Sequence, residues 1–176
     1  NSFMDLLGQH YLADVLVTMN EPYRAEEVER ELYTISGVER VESWGMAQAE
    51  ILNEDDELAT NLILFVPPDD TQLLEPDLVA GRWLAPEDEQ VLVVSDSIWT
   101  EYPTFQLGDT LSVEVPDRRA EEGPVVGVFR WVDMVGDNIF GYGDYDTISR
   151  LTNSAGEALS FRIVAHAQTL ESQRRL

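Results

Sequence analysis

Residues 79–130 decide the fold. They open on Val79-Ala80-Gly81-Arg82-Trp83-Leu84, turn through Pro86-Glu87-Asp88-Glu89 and continue into Val91-Leu92-Val93-Val94. Leu107-Gly108-Asp109-Thr110-Leu111 then carries a hairpin signal, and Val125-Val126-Gly127-Val128-Phe129 closes the stretch. Short aliphatic and β-branched runs punctuated by Gly, Asp and Pro are what a small barrel or sandwich needs, because each tight turn calls for a residue tolerant of unusual φ. The stretch is expected to form a compact β-rich insert without an active site of its own.

On the N-terminal side, Ala13 to Met19 has strand character, with Val15 and Leu16 on opposite faces. Asn20-Glu21-Pro22 is expected to start a helix, since proline is tolerated in a first turn. Glu26 and Glu27 suit the positive end of its dipole, and Val28, Leu32 and Ile35 form an apolar stripe at i, i+4 and i+7. Gly37 is a natural helix stop. Val38 to Leu52 is expected as one bent strand or two short ones, with Gly45 permitting a kink or bulge. After a polar turn, Leu58 to Val66 is a strand whose unbroken run Leu62-Ile63-Leu64-Phe65-Val66 predicts cover on both faces; Pro67-Pro68 stops it.

On the C-terminal side, Ala158 to Ala167 alternates. Leu159, Phe161, Ile163 and Ala165 lie on one face; Ser160, Arg162, Val164 and His166 lie on the other. A helix opens at Gln168. Between insert and strand, Val132 to Asn153 holds Asp133, Asp137, Tyr142, Asp144, Tyr145 and Asp146; its Gly136, Gly141 and Gly143 argue for a tightly turned or mobile loop, with a short helical turn over Ile148 to Leu151. The economical architecture is α+β: a split α/β part (residues 1–75 and 140–176) interrupted by a barrel- or sandwich-like β-rich part (residues 76–139).

Charge narrows the partners. The 176 residues carry 34 acidic against 11 basic side chains, a formal net charge of −23. Every basic residue is Arg; there is no Lys. A field of that sign repels phosphate backbones and anionic lipid, so nucleic-acid binding is excluded as an expectation. The acidity is read as a solvated surface, with a high-salt habitat as the lesser alternative. Absence of Cys removes disulfides and thiolate chemistry, and no run approaches the about 20 apolar residues that span a bilayer. The abrupt opening at Asn1 and the stop at Leu176 inside an expected helix suggest a piece of something larger.

The missing lysine also rules out a Walker A loop, a Schiff-base enzyme and a Ser-Lys hydrolase within this chain. Val41-Glu42-Ser43-Trp44-Gly45 lacks the first glycine of a nucleophile elbow. Asp144-Tyr145-Asp146 begins a calcium-loop alternation without the central glycine. Trp44, Trp83, Trp99 and Trp131 could line a groove, but the latter three are expected first as core and lid of the insert. No catalytic residue, metal site or cofactor is assigned.

The order Asp14-Val15-Leu16-Val17, Pro22-Tyr23-Arg24-Ala25-Glu26-Glu27-Val28, Gly37-Val38-Glu39-Arg40-Val41-Glu42, Gly81-Arg82-Trp83-Leu84, Leu107-Gly108-Asp109-Thr110 and Val125-Val126-Gly127-Val128 resembles the extracytoplasmic core domain of MacB/FtsX-type ABC transporter permeases. The similarity runs over nearly the whole chain. It implies a porter-like α/β subdomain split by a small β-rich one, placed between the first and second transmembrane helices on the extracytoplasmic face of the membrane. It implies a non-enzymatic role, with ATP hydrolysis in a separate cytoplasmic ATPase whose motion the permease relays. Implied partners are the permease's own transmembrane helices, that ATPase, and a second permease copy or an extracytoplasmic partner protein. One departure is the absence of a final strand after residues 168–176. A secreted binding protein for a peptide, sugar or cation is the competing expectation, followed by a carboxylate-based hydrolase. The candidate interaction surface comprises Trp83, Trp99, Asp133, Asp137, Tyr142, Asp144 and Tyr145.

Overall fold

A computed structural model describes residues 13–52, 58–68, 70–115, 120–131, 138–144, 148 and 156–165. The described chain is strand-rich, with a mixed sheet and two short helices: β1 (Val15–Arg24), α1 (Ala25–Leu32), β2 (Val38–Leu52), β3 (Leu58–Val66), β4 (Leu78–Gly81), β5 (Leu92–Ser95), α2 (Ile98–Glu101), β6 (Thr110–Glu114), β7 (Glu121–Phe129), β8 (Ile139–Gly143) and β9 (Glu157–Ala165).

β1, β9 and the first half of β2 form an antiparallel layer. Its inner face carries Val15, Val17, Val41, Phe161 and Ile163, against which α1 packs Ala25, Val28 and Leu32. The predicted stripe is there, shortened by one member. Ile35 lies past the helix end and is exposed, because the chain leaves helical geometry after Leu32 and passes Gly37 at φ +97°. The helix also starts later than Pro22 suggests. β1 runs on to Arg24, pairing Tyr23 and Arg24 with Ala158 and Glu157 after a register shift between Thr18 and Tyr23. The Ala25 N–H is satisfied by the Gly156 carbonyl at 3.0 Å rather than by a side-chain cap.

β2 is one continuous strand of 15 residues. From Val38 to Trp44 it pairs with β9, and from Gly45 to Leu52 with β3. Gly45 introduces no bulge; it sits in register opposite Val66, at the point where β2 changes partner.

The rest of the sheet closes on itself. β3 pairs in parallel with β8, β8 antiparallel with β5, and β5 in parallel with β7; β6 pairs with β7 and returns to β2. The circuit β2-β3-β8-β5-β7-β6 is thus a six-stranded barrel; it joins β5, β6 and β7 of the stretch 76–139, expected to be β-rich by itself, to β2, β3 and β8 from outside it or at its edge. Inward-facing Ala49, Ile51, Leu62, Leu64, Val94, Val113, Val125 and Ile139 fill it. β3 alternates instead of being buried on both faces: Leu62, Leu64 and Val66 point in, while Ile63 and Phe65 are only partly covered.

β4 adds to the outer end of β7, where Gly81 and Gly127 face each other. A Cβ on Gly127 would stand 2.1 Å from the Arg82 carbonyl oxygen, and one on Gly81 2.2 Å from that of Val126. Only glycine lets these backbones approach so closely.

β8 corrects the loop expectation for its segment. Gly141 and Gly143 lie in a buried strand held on both edges, and the space a Gly141 side chain would take is filled by Leu64 and Leu62. Asp133, Asp137, Tyr145, His166, the expected turn over Ile148 to Leu151 except Ile148, and the expected helix at Gln168 lie outside the described residues.

Candidate functional site

On the outer face of the barrel, where the β1-β9-β2 layer joins it, seven aromatic rings meet. Tyr142, only 2 % exposed, is the hub. Its ring centroid lies 4.9 Å from Trp83, 5.2 Å from Phe129, 5.7 Å from Phe65 and 6.2 Å from Trp44. Trp131 stacks on Phe140 at 4.6 Å and meets Phe129 edge-on at 6.0 Å. Strand alternation dictates the grouping: Phe65, Phe129, Phe140 and Tyr142 occupy outward positions whose neighbours fill the barrel. Arg162, itself buried, caps the group with its guanidinium carbon 3.3 Å from the centre of a Trp44 ring.

Beside this cluster lies a pocket of about 140 Å³ lined by Pro67, Pro68, Trp83, Leu84, Asp88 and Asp144, among others. Small-molecule sites usually offer roughly 300–1,000 Å³, so this one is sized for a single side chain. Its walls are stiff: prolines cannot relax φ, and Trp83 is braced from beneath by Tyr142.

An ion pair shapes the rim. Arg82 grips Asp88 with two hydrogen bonds, at 2.6 Å and 2.8 Å, while the Ala85 N–H donates to the same carboxylate at 2.7 Å. The hydrogen bond from Arg82 holds the Asp88 carboxyl below the usual carboxylate range, and Asp88 in turn raises the Arg82 guanidinium. A carboxyl so held is ionised near neutral pH and has no proton to give, which removes Asp88 as the acid of a hydrolytic pair. Asp144 accepts from the Gln90 N–H at 3.0 Å. No group of three or more metal-ligating side chains converges among the described residues.

Of the residues singled out from sequence, Trp83, Tyr142 and Asp144 are brought together. Trp83 and Asp144 line the pocket, and Tyr142 is buried as its support. Trp99 stands apart on α2, 38 % exposed and outside the aromatic cluster. Asp133, Asp137 and Tyr145 are not described. Sequence reasoning did not anticipate Pro67, Pro68 and Asp88 as lining residues. The prolines signalled only a strand stop, and Asp88 is one of three acids in a turn whose preference for Arg82 needs the folded geometry.

A helix-backed antiparallel layer continuing through one strand into a small closed barrel is a fold found in the extracytoplasmic domains of membrane transporters. Solved structures of similar fold include two such domains. The periplasmic region of MacB from Actinobacillus actinomycetemcomitans superposes with a TM-score of 0.57 at 14% identity, over 91% of this chain and 77% of that one. The extracellular domain of the noncanonic ABC-type transporter YknZ from Gram-positive bacteria does so with a TM-score of 0.59 at 13% identity, over 90% of this chain and 86% of that one. At these identities the likeness is one of fold. Neither a protein-family profile nor a curated protein sequence matches the chain. No helix among the described residues is long and apolar enough to cross a membrane.

Proposed function

We propose that this chain is the non-catalytic extracytoplasmic domain of an ABC transporter permease, relaying ATP-driven motion of the membrane part to a substrate or partner protein outside the membrane. The supporting observation is the fold correspondence, which takes in 90% of this chain and 86% of the YknZ extracellular domain. It gives no support to a free-standing secreted binding protein. In this reading the partners are the permease's transmembrane helices, a cytoplasmic ATPase that carries out all nucleotide hydrolysis, and a second permease copy or an extracytoplasmic protein.

In this reading the domain comprises a porter-like α/β subdomain (residues 1–75 and 140–176) and a β-rich one (residues 76–139), the barrel taking β2, β3 and nearly all of β8 from the first and β5, β6 and β7 from the second. We put the contact surface at the pocket of Trp83 and Asp144 supported by Tyr142; Trp99, which stands apart from it, and Asp133, Asp137 and Tyr145 are further candidate contact residues. A pocket for one side chain between stiff walls suits a protein partner better than a free small molecule.

A Glu31→Cys substitution on exposed surface of this Cys-free stretch reports its location by comparison with the unsubstituted parent protein. In cells making the parent protein, a membrane-impermeant maleimide should label it without permeabilisation. Labelling only after lysis would overturn the proposal.

A further inference from the structure

The barrel is closed by its weakest joint. β6 and β2 share just two residue pairs, Glu50↔Glu114 and Ile51↔Val113. Ile51 and Val113 point into the core, so Glu50 and Glu114 project together from the outer face. Directly opposed antiparallel residues hold their Cβ atoms about 4.5–5.5 Å apart, and like charges so placed oppose pairing. Glu122 adds to the load. It pairs across from Ser112, which shares the outer face with Glu114, and so stands diagonal to Glu114 at about 7–8 Å.

Among the described residues no cation pairs with this group. Four ion pairs occur among the described residues, on Glu27, Glu42, Asp77 and Asp88, and none involves Glu50, Glu114 or Glu122. The whole-chain charge of −23 adds to the repulsion at long range. Neighbouring joints differ: β2 meets β3 over eight pairs, and β6 meets β7 over four.

We infer that the β2–β6 seam is a salt-controlled closure, tight where ionic strength screens the three glutamates and prone to local opening where it does not. The spacing sets the range. A Debye length of about 8 Å at 0.15 M salt leaves charges 5–8 Å apart largely unscreened, whereas about 3 Å at 1 M suppresses the repulsion. The inference rests on the barrel's pairing pattern and is independent of the transport reading.

Amide hydrogen exchange on the chain at about 10 mM and about 1 M NaCl tests it. Amides of Thr110–Glu114 should exchange roughly two- to fivefold faster at low salt, beyond any change in the β1-β9-β2 layer. Glu114→Gln should abolish most of that excess and raise the low-salt Tm by about 2 °C, whereas Glu31→Gln on the exposed end of α1 should leave the β6 excess intact. Equal salt sensitivity of β6 and the β1-β9-β2 layer would reduce the effect to general charge repulsion and overturn the inference. So would a β6 excess that Glu114→Gln and Glu31→Gln change alike.

Discussion

Glu42→Ala probes how the segment after β3 is fastened to the sheet. Glu42 is 5 % exposed, in the first half of β2, and its carboxylate gathers four donors. The Thr71 hydroxyl lies at 2.6 Å, the Gln72 N–H at 3.0 Å, Arg40 Nε at 3.2 Å and Trp44 Nε1 at 3.3 Å. Arg40 has a second acceptor in the Gln72 side-chain oxygen, and its side chain is 32 % exposed, so it can find water. The Thr71 and Gln72 donors are part-buried and lose a charged acceptor. Two charge-assisted bonds at about 1.5–3 kcal/mol each, less partial recovery by water at Thr71, put the cost at about 3–4 kcal/mol. For a chain of this size that lowers Tm by roughly 10 °C. Glu42→Gln, which keeps an oxygen acceptor and the packing, should cost about 1–2 kcal/mol. Urea unfolding followed by tryptophan fluorescence measures both, and a double-mutant cycle with Thr71→Val should return a coupling above about 0.5 kcal/mol. A Glu42→Ala protein within about 0.5 kcal/mol of wild type would refute the reasoning.

Gly127→Ala forces a methyl group into the Arg82 carbonyl and should destabilise by at least about 1–3 kcal/mol in the same assay, whereas a neutral outcome would mean that β4 can move off β7 freely. Trp131 Nε1 is buried without a hydrogen-bond partner among the described residues, so Trp131→Phe should be neutral or stabilising by up to about 1 kcal/mol; a loss of more than that in urea midpoint stability would mean that the indole's packing on Phe140 and Phe129 outweighs relief of the unmet N–H. Asp88, held below its ordinary range in the folded state, contributes stability at pH above the unfolded value near about 3.9, and that contribution is lost as pH falls through the lower folded-state value. Asp88→Asn should therefore flatten the acid limb of Tm against pH below about pH 4; two curves that stay parallel there would deny the Arg82 clamp any role.

Legibility followed the local signal. Alternation, apolar runs and turn chemistry located nearly every strand: Val15 follows period-2 burial, whereas Val94 belongs to an unbroken run buried at every position. β8 was hidden because Gly141 and Gly143 speak for a loop in isolation. Their strand exists only because β3 and β5 offer free edges and Leu62 and Leu64 fill the missing side-chain volume. Pro22 misled in the opposite sense, signalling a helix start where β9 keeps the chain extended. Barrel closure is non-local altogether: nothing in Thr110–Glu114 announces that its free edge returns to β2, more than fifty residues earlier in the chain. The aromatic cluster was half legible. Trp83 and Tyr142 stood out as residues, but their meeting depends on which face of β8 the register turns outward.

β2 explains why the two parts of the fold need no separate interface. A rotation of the helix-backed layer against the barrel would have to bend β2 between Trp44, its last pairing residue with β9, and Gly45, its first with β3. That point is held by buried contacts on its Trp44 side. Trp44 is fully buried between the Arg162 guanidinium and the edge of Tyr142, and Glu42 two residues earlier ties the strand to Thr71 and Gln72. Bending would expose the largest buried side chain of the molecule and strain a charged network, each costing several kcal/mol. Displacement of α1 or β1 therefore reaches the barrel and its aromatic pocket through a hydrogen-bonded backbone instead of a flexible tether. That stiffness is the physical basis on which the proposed relay of motion rests.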